Sequence, residues 1–105
     1  MSGAPGRIRV MLYLRAAEGD AGAVTEGYHR VSRDLAGTPG LLGNELLREA
    51  TDPGAYAVLS EWESMAAFRD WEAGSAHRGA TSPLRPFQDT ERRSPFALFE
   101  VDAAY

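Results

Sequence analysis

Residues 41–64 have the sequence LLGNELLREATDPGAYAVLSEWES, which predicts two strands joined by a tight turn. The first strand covers residues 41–50 and the second covers residues 55–63. Asp52, Pro53 and Gly54 between them are residue types that favour a reverse turn. Because so short a connection joins antiparallel neighbours, we expect the two strands to form a hairpin.

The segment before the hairpin predicts a strand followed by an amphipathic helix. Residues 7–16 are rich in strand-forming residues, and large apolar side chains fall on both faces of that strand. The helix begins near Asp20, a good N-cap residue, and ends at Gly37 and Pro39. Its apolar stripe consists of Val24, Tyr28, Val31 and Leu35. Since neither face of the strand is purely polar, we expect both faces of the sheet to be covered.

The segment after the hairpin predicts a second helix and a last strand. Ser64 suits the N-cap of this helix, and Gly74 ends it. Its apolar face consists of Met65, Phe68 and Trp71. A short helical piece follows up to Thr81, and the prolines after it are expected to prevent its continuation. Residues 89–93 are predicted to be a solvated loop, and residues 94–101 to be the last strand.

The predicted order of elements is β-α-β-β-α-β, which is typical of an α+β, ferredoxin-like fold. We expect a single domain over residues 7–101, with a flexible leader at residues 1–6 and a tail at residues 102–105. The helices of such a fold pack on one face of the sheet, so the other apolar face needs a second cover. The sequence therefore predicts a homodimer in which two sheets face each other and close a barrel-like core.

The composition excludes several classes of protein. The chain has 105 residues and no cysteine, which excludes disulfide frameworks, thiolate metal sites and cysteine nucleophiles. Its net charge of −4 and the lack of a basic stripe argue against binding to nucleic acid. Apolar runs of at most five residues predict no membrane span, and the lack of an apolar leader favours a cytoplasmic protein. The motifs of metal and dinucleotide sites are missing as well, so no metal and no cofactor are predicted.

Several short motifs resemble the antibiotic biosynthesis monooxygenase superfamily, whose members are small dimeric α+β barrel proteins. The motifs are Pro39-Gly40-Leu41 before the second strand, Tyr56 and Trp62-Glu63-Ser64 on the third, Ala67-Phe68 and Trp71 on the next helix, and His77. The similarity covers roughly residues 7–101 and rests on the order and spacing of these motifs. It implies a dimeric α+β barrel and one of several activities, which include cofactor-independent quinone formation and haem degradation.

Three residues are predicted to be catalytic. Trp62 matches the tryptophan of the quinone-forming branch, which implies that its indole N–H hydrogen-bonds an oxygen of the substrate or of a peroxide. His77 is the candidate acid–base group. Asn44, the only asparagine of the chain, is the candidate for orienting a substrate oxygen. The aromatic residues predicted to bind the substrate are Tyr56, Phe68, Trp71 and Phe87.

Other interpretations of these positions stay open. Trp62 also suits core packing, and Asn44 also suits a turn or a bulge. The chain departs from the family patterns at Val58, where the quinone-forming branch carries an asparagine, and at Leu12, where the haem-degrading branch carries one. Thr81 falls near the position of the axial histidine of the haem-degrading branch.

The leading hypothesis is a cofactor-independent monooxygenase that oxidises a phenolic or polycyclic, polyketide-type aromatic molecule to a quinone with O2. The alternative is a non-catalytic or cyclase-like protein of the same fold that binds a polyketide intermediate, which the missing amide at Val58 favours. A haem-degrading oxygenase ranks third, because Leu12 and Thr81 depart from that pattern. The expected partners are a small aromatic molecule, O2 and a second copy of the chain.

Overall fold

The computed structural model describes residues 6–74 and 81–105, and its elements follow the predicted order. They are β1 (Ile8–Arg15), α1 (Ala21–Leu35), β2 (Leu41–Arg48), β3 (Ala55–Trp62), α2 (Met65–Ala73), a 3₁₀ helix (Ser82–Phe87) and β4 (Phe96–Glu100). The predicted α+β, ferredoxin-like fold is therefore confirmed.

The four strands form one antiparallel sheet in the order β2-β3-β1-β4. In the predicted hairpin β2 pairs with β3, and a register shift between Leu41 and Gly43 marks a β-bulge. β3 also pairs with β1, where Ile8 lies opposite Trp62. β1 and β2 therefore run parallel with β3 between them, which is the split β-α-β arrangement of this fold.

The alternation of side chains along the strands gives the sheet two different faces. Ile8 and Leu14 point to the face that the helices cover, and their partners on β3, Trp62 and Tyr56, are buried with them. We call the opposite face the open face. Its residues include Arg9, Met11, Tyr13, Glu45, Leu47, Ala57, Leu59, Glu61, Ala97 and Phe99.

Two hydrophobic clusters fill the space between the sheet and the helices. The first lies under α1 and the 3₁₀ helix and consists of Leu14, Ala16, Val24, Val31, Leu35, Tyr56 and Leu84. The second lies under α2 and consists of Ile8, Trp62 and Phe68. Gly27 lets the 3₁₀ helix approach α1 closely, because a Cβ at this position would lie 3.1 Å from both Leu84 Cδ2 and the carbonyl oxygen of Pro83.

The ends of the two α-helices follow the predictions with one difference. The Ser64 hydroxyl oxygen accepts a hydrogen bond from the backbone N–H of Ala67 at 3.1 Å, as expected of an N-cap. Asp20 occupies the N-cap position of α1, but its side chain makes no capping hydrogen bond. α1 is therefore held mainly by its buried apolar stripe.

The 3₁₀ helix at residues 82–87 shows that the prediction of no helix after Thr81 was wrong. Pro83 lies in the first turn of this helix, where a backbone N–H would have no intrahelical partner. Pro86 lies in its last turn, and the element is short enough to tolerate it. Leu84 is fully buried against α1 and fixes the helix in place.

Asp89 shows that the loop at residues 89–93 is not fully solvated, in contrast to the prediction. Asp89 is only 8% exposed, and its carboxylate lies 3.5 Å from Nε of Arg92 and 4.0 Å from Nε of Arg15. The Arg92 guanidinium in turn lies 3.7 Å from the centre of the Tyr13 ring. These contacts fix the loop to the end of β1.

Arg15 also links β1 to the hairpin turn. Its Nη2 donates to Oδ2 of Asp52 at 2.8 Å, and the backbone N–H of Gly54 donates to Oδ1 at 3.2 Å. The hydrogen bond from Arg15 and then that from Gly54 lower the pKa of the Asp52 carboxyl. Because the folded pKa lies below the unfolded one, this contribution to stability is present above the unfolded pKa and is lost as the pH falls through the folded pKa.

Candidate functional site

A cleft of about 290 Å³ opens on the helix-covered side of the sheet, between β1, β4, α2 and the 3₁₀ helix. Its lining residues are Val10, Leu12, Phe68, Trp71, Glu72, Thr81, Arg85, Gln88 and Phe96. Ligand pockets in proteins span roughly 300–1,000 Å³, and this volume lies at the lower limit of that range, where a small organic molecule fits. We call this site the β1–α2 cleft.

Aromatic side chains of α2 form one wall of the β1–α2 cleft. Phe68 and Trp71 line it, and their ring centres lie 6.0 Å apart. Phe96 on β4, which lies opposite Leu12 of β1, adds a third aromatic ring and is 41% exposed. The shape and the apolar walls of this half-open cleft would allow a flat aromatic molecule to stack there.

Trp62 supports this wall from below and does not line the cleft. It is 1% exposed, and its ring centre lies 5.5 Å from that of Phe68 and 5.3 Å from that of Trp71. Its indole N–H donates to the hydroxyl oxygen of Ser60 at 3.0 Å. The N–H can therefore orient a substrate oxygen, as predicted, only after its hydrogen bond to Ser60 is broken.

Asn44 connects β2 to α1. Its Oδ1 accepts a hydrogen bond from the Tyr28 hydroxyl at 2.6 Å and another from the Ser32 hydroxyl at 3.1 Å. Asn44 is not among the residues that line the β1–α2 cleft. Its side-chain oxygen is thus engaged in holding α1 against the sheet.

The other predicted site residues are distributed over different parts of the molecule. Phe68 and Trp71 both line the cleft. Tyr56 is buried in the cluster under α1, and Phe87 packs against that same cluster. His77 lies outside the described residues. The substrate-binding roles predicted for the four aromatic residues and the acid–base role predicted for His77 stay predictions.

The polar rim of the cleft was not predicted from the sequence. It consists of Glu72, Thr81, Arg85 and Gln88. Glu72 Oε1 accepts a hydrogen bond from Nη1 of Arg69 at 2.8 Å. Arg85 lies in the last turn of the 3₁₀ helix and Gln88 is its C-cap, so the positions of both depend on a helix that was not predicted.

Within residues 6–74 and 81–105, no group of three or more histidine, aspartate or glutamate side chains is arranged to hold a metal ion. No helix in these ranges is long and apolar enough to span a membrane.

Comparison with known proteins gives a family match over most of the chain. Residues 7–82 match the family model of the antibiotic biosynthesis monooxygenases. Protein SchA of Streptomyces halstedii is 32% identical over 81 residues, which are 77% of this chain and 21% of that protein. The 42.8 kDa protein in the whiE locus of Streptomyces coelicolor is 31% identical over 97 residues, which are 91% of this chain and 24% of that protein. The chain thus spans a quarter or less of these curated relatives.

Solved structures with the same fold include proteins of different activity. SnoaB, a cofactor-independent oxygenase from Streptomyces nogalater, superposes with a TM-score of 0.74 at 22% identity, over 96% of this chain and 97% of SnoaB. A haem-degrading protein from Mycobacterium tuberculosis superposes with a TM-score of 0.72 at 20% identity, over 97% and 98% of the two chains. At these identities the structural similarity establishes the fold alone.

Proposed function

Because the chain belongs to the antibiotic biosynthesis monooxygenase family, we propose that it is a cofactor-independent oxygenase of a phenolic or polycyclic, polyketide-type aromatic molecule. The observation that carries this proposal is the β1–α2 cleft, which combines aromatic walls with a polar rim. A flat ring system can lie against Phe68 and Trp71 while its oxygen substituents reach the rim. SnoaB has the same fold and is a cofactor-independent oxygenase, which supports a reaction without a cofactor.

The proposed reaction converts a methylene group of a hydroxyanthrone-type substrate into a carbonyl group. The deprotonated substrate is electron-rich enough to reduce O2 itself. The methylene carbon loses two hydrogen atoms and gains one oxygen atom, and the second oxygen atom leaves as water with those two hydrogens. The methylene carbon supplies all four electrons that reduce O2, so the reaction requires no other reductant.

The protein's part in this reaction is to select, orient and desolvate the substrate. The Arg85 guanidinium at the rim favours the anionic form of a phenolic substrate by its charge. His77 stays the proposed proton acceptor, and Trp62 and Asn44 stay proposed to orient oxygen atoms. Trp62 could do so only if its N–H were released from Ser60.

The purified protein, freed of metal and flavin, is expected to consume O2 with 1,8-dihydroxyanthrone faster than the uncatalysed reaction. An oxygen electrode measures the uptake, and absorbance follows the quinone formed in equal amount. Heat-denatured protein is the control, since the substrate also oxidises slowly on its own. Uptake that appears only after haem or flavin is added would overturn the proposal. Tight binding of the aromatic molecule without any uptake would favour the non-catalytic alternative.

We propose further that the open face is the interface of a homodimer. Leu47 and Phe99 are 38% and 51% exposed there, beside Met11 and Leu59. These four side chains line a shallow groove of about 440 Å³. Two copies of this face can pack against each other around a twofold axis, and this contact would remove the apolar surface from water. The β1–α2 cleft lies on the other side of the sheet and stays accessible in such a dimer.

The Phe99→Glu variant is expected to be monomeric where the native chain is dimeric. Each of the two copies would bring one unpaired glutamate carboxylate into the interface. Burying both should weaken association by roughly 100-fold or more. Light scattering coupled to size exclusion measures the mass of both proteins. Phe96→Glu is the matched control, because Phe96 is similarly exposed on the same strand but faces the cleft. A native chain that is monomeric at high concentration, or loss of the dimer in both variants, would contradict this interface.

A further inference from the structure

Gln88 is held in a fixed position beside the β1–α2 cleft. Its backbone N–H donates to the carbonyl oxygen of Arg85 at 3.2 Å and so closes the 3₁₀ helix. Gln88 also forms a bridge to Leu14 of β1, and the N–H of the next residue, Asp89, donates to the carbonyl oxygen of Tyr13 at 3.0 Å. The backbone at Gln88 is thus tied to both elements that border the cleft.

The direction of the Gln88 side chain follows from these ties. Residues directly opposite each other in an antiparallel bridge share a face, and Leu14 points to the helix-covered face. Arg85 lies in the last turn of the 3₁₀ helix, and Gln88 is the C-cap that follows this turn. Both residues line the β1–α2 cleft.

The amide of Gln88 is not used by the fold. Within residues 6–74 and 81–105, the Gln88 side chain has no hydrogen-bond partner, although the residue is half-buried. The side-chain oxygen of the chain's other amide residue, Asn44, already accepts two hydrogen bonds. Because no buried side-chain nitrogen or oxygen of the described residues lacks a hydrogen-bond partner, the Gln88 amide is open to solvent, and a ligand in the cleft can reach it.

We propose that Gln88 is a substrate-binding residue that selects aromatic molecules with an oxygen substituent, and this proposal rests on the cleft being the substrate site. The amide offers two N–H donors and one carbonyl acceptor, so it pairs with a ring carbonyl, a phenol or a phenolate. The aromatic plane lies between Phe96 and the Phe68–Trp71 wall, and the oxygen lies at the end of the cleft that Gln88 borders. The neighbouring Arg85 extends this preference to phenolates.

The test compares two probes on the full chain and on its Gln88→Leu variant. The probes are 1,8-dihydroxyanthraquinone and anthracene, which share a three-ring plane and differ in their oxygen atoms. Gln88→Leu keeps the side-chain size and removes the hydrogen-bonding groups. We expect the variant to bind the dihydroxyanthraquinone about 3- to 10-fold more weakly and to bind anthracene unchanged. Thermal melting of both proteins checks that the fold is intact.

The outcomes separate this proposal from the proposed oxygenase function. Equal weakening for both probes would mean a packing effect, and unchanged binding of both would mean no contact, so either result overturns the role of Gln88. Selective weakening with no O2 uptake by the native protein would support Gln88 and overturn the oxygenase. Failure of the native protein to bind the dihydroxyanthraquinone would overturn the role of Gln88 and the cleft as the substrate site, while O2 uptake with the anthrone separately decides the oxygenase.

Discussion

The Trp62→Ala variant is expected to lose about 3–5 kcal/mol of unfolding free energy. Trp62 is 1% exposed, and on the sheet it lies opposite both Ile8 and Leu41. Its removal leaves a cavity beneath Phe68 and Trp71. Since small domains unfold with about 5–15 kcal/mol in total, the variant should be near the limit of folding. Urea denaturation followed by circular dichroism measures the loss as a lower midpoint.

The Trp62→Phe variant is the matched control, because it keeps a large aromatic ring and removes only the indole N–H and part of the volume. It should be destabilised clearly less than Trp62→Ala. The Trp62 N–H donates to Ser60, and the ring does not line the cleft. A folded Trp62→Phe variant that retains most of the native turnover would therefore overturn the proposed orienting role of this N–H. A folded variant without turnover would instead establish the substrate-orienting role that the family resemblance implies for Trp62.

The fold was predictable because local patterns set it. The turn at residues 52–54, the apolar stripe of α1 and the cap at Ser64 each depend on neighbours in sequence. The open face was predictable in the same way, because the strand at residues 7–16 carries large apolar side chains on both sides.

The composition of the site was less predictable, because contacts between distant segments determine it. Asn44 was predicted to orient the substrate because it is the only asparagine. Packing of α1 on β2 instead brings the hydroxyls of Tyr28 and Ser32 to its side-chain oxygen, to which both donate hydrogen bonds. Aromatic character singled out Tyr56, but its position on β3 places it under α1 and away from the cleft. Gln88 had no periodic pattern around it, and a proline-containing 3₁₀ helix brings it to the cleft.

The Gly40→Ala variant is expected to lose about 2–5 kcal/mol of unfolding free energy, which gives a physical reason for the glycine of the Pro39-Gly40-Leu41 motif. Gly40 has a φ of +83°, a left-handed conformation that costs a residue with a Cβ about 1–2 kcal/mol. A Cβ at this position would also overlap with the Cβ of Ala67 on α2. Overpacking of this kind costs a further 1–3 kcal/mol or so. Because Ala67 precedes Phe68, the shift of α2 would also disturb the cleft.

Gly37→Ala separates the two contributions to this loss. Gly37 has a φ of +82°, and a Cβ there would meet no heavy atom within 4 Å. It should therefore lose only the backbone contribution of about 1–2 kcal/mol. In a chain that already carries Ala67→Gly, the Gly40→Ala change should cost no more than Gly37→Ala does, because the overlapping Cβ is gone. Equal losses of unfolding free energy for Gly40→Ala and Gly37→Ala in the native chain would show that α2 can shift away without loss of stability. Gly40 would then be needed for its backbone conformation alone.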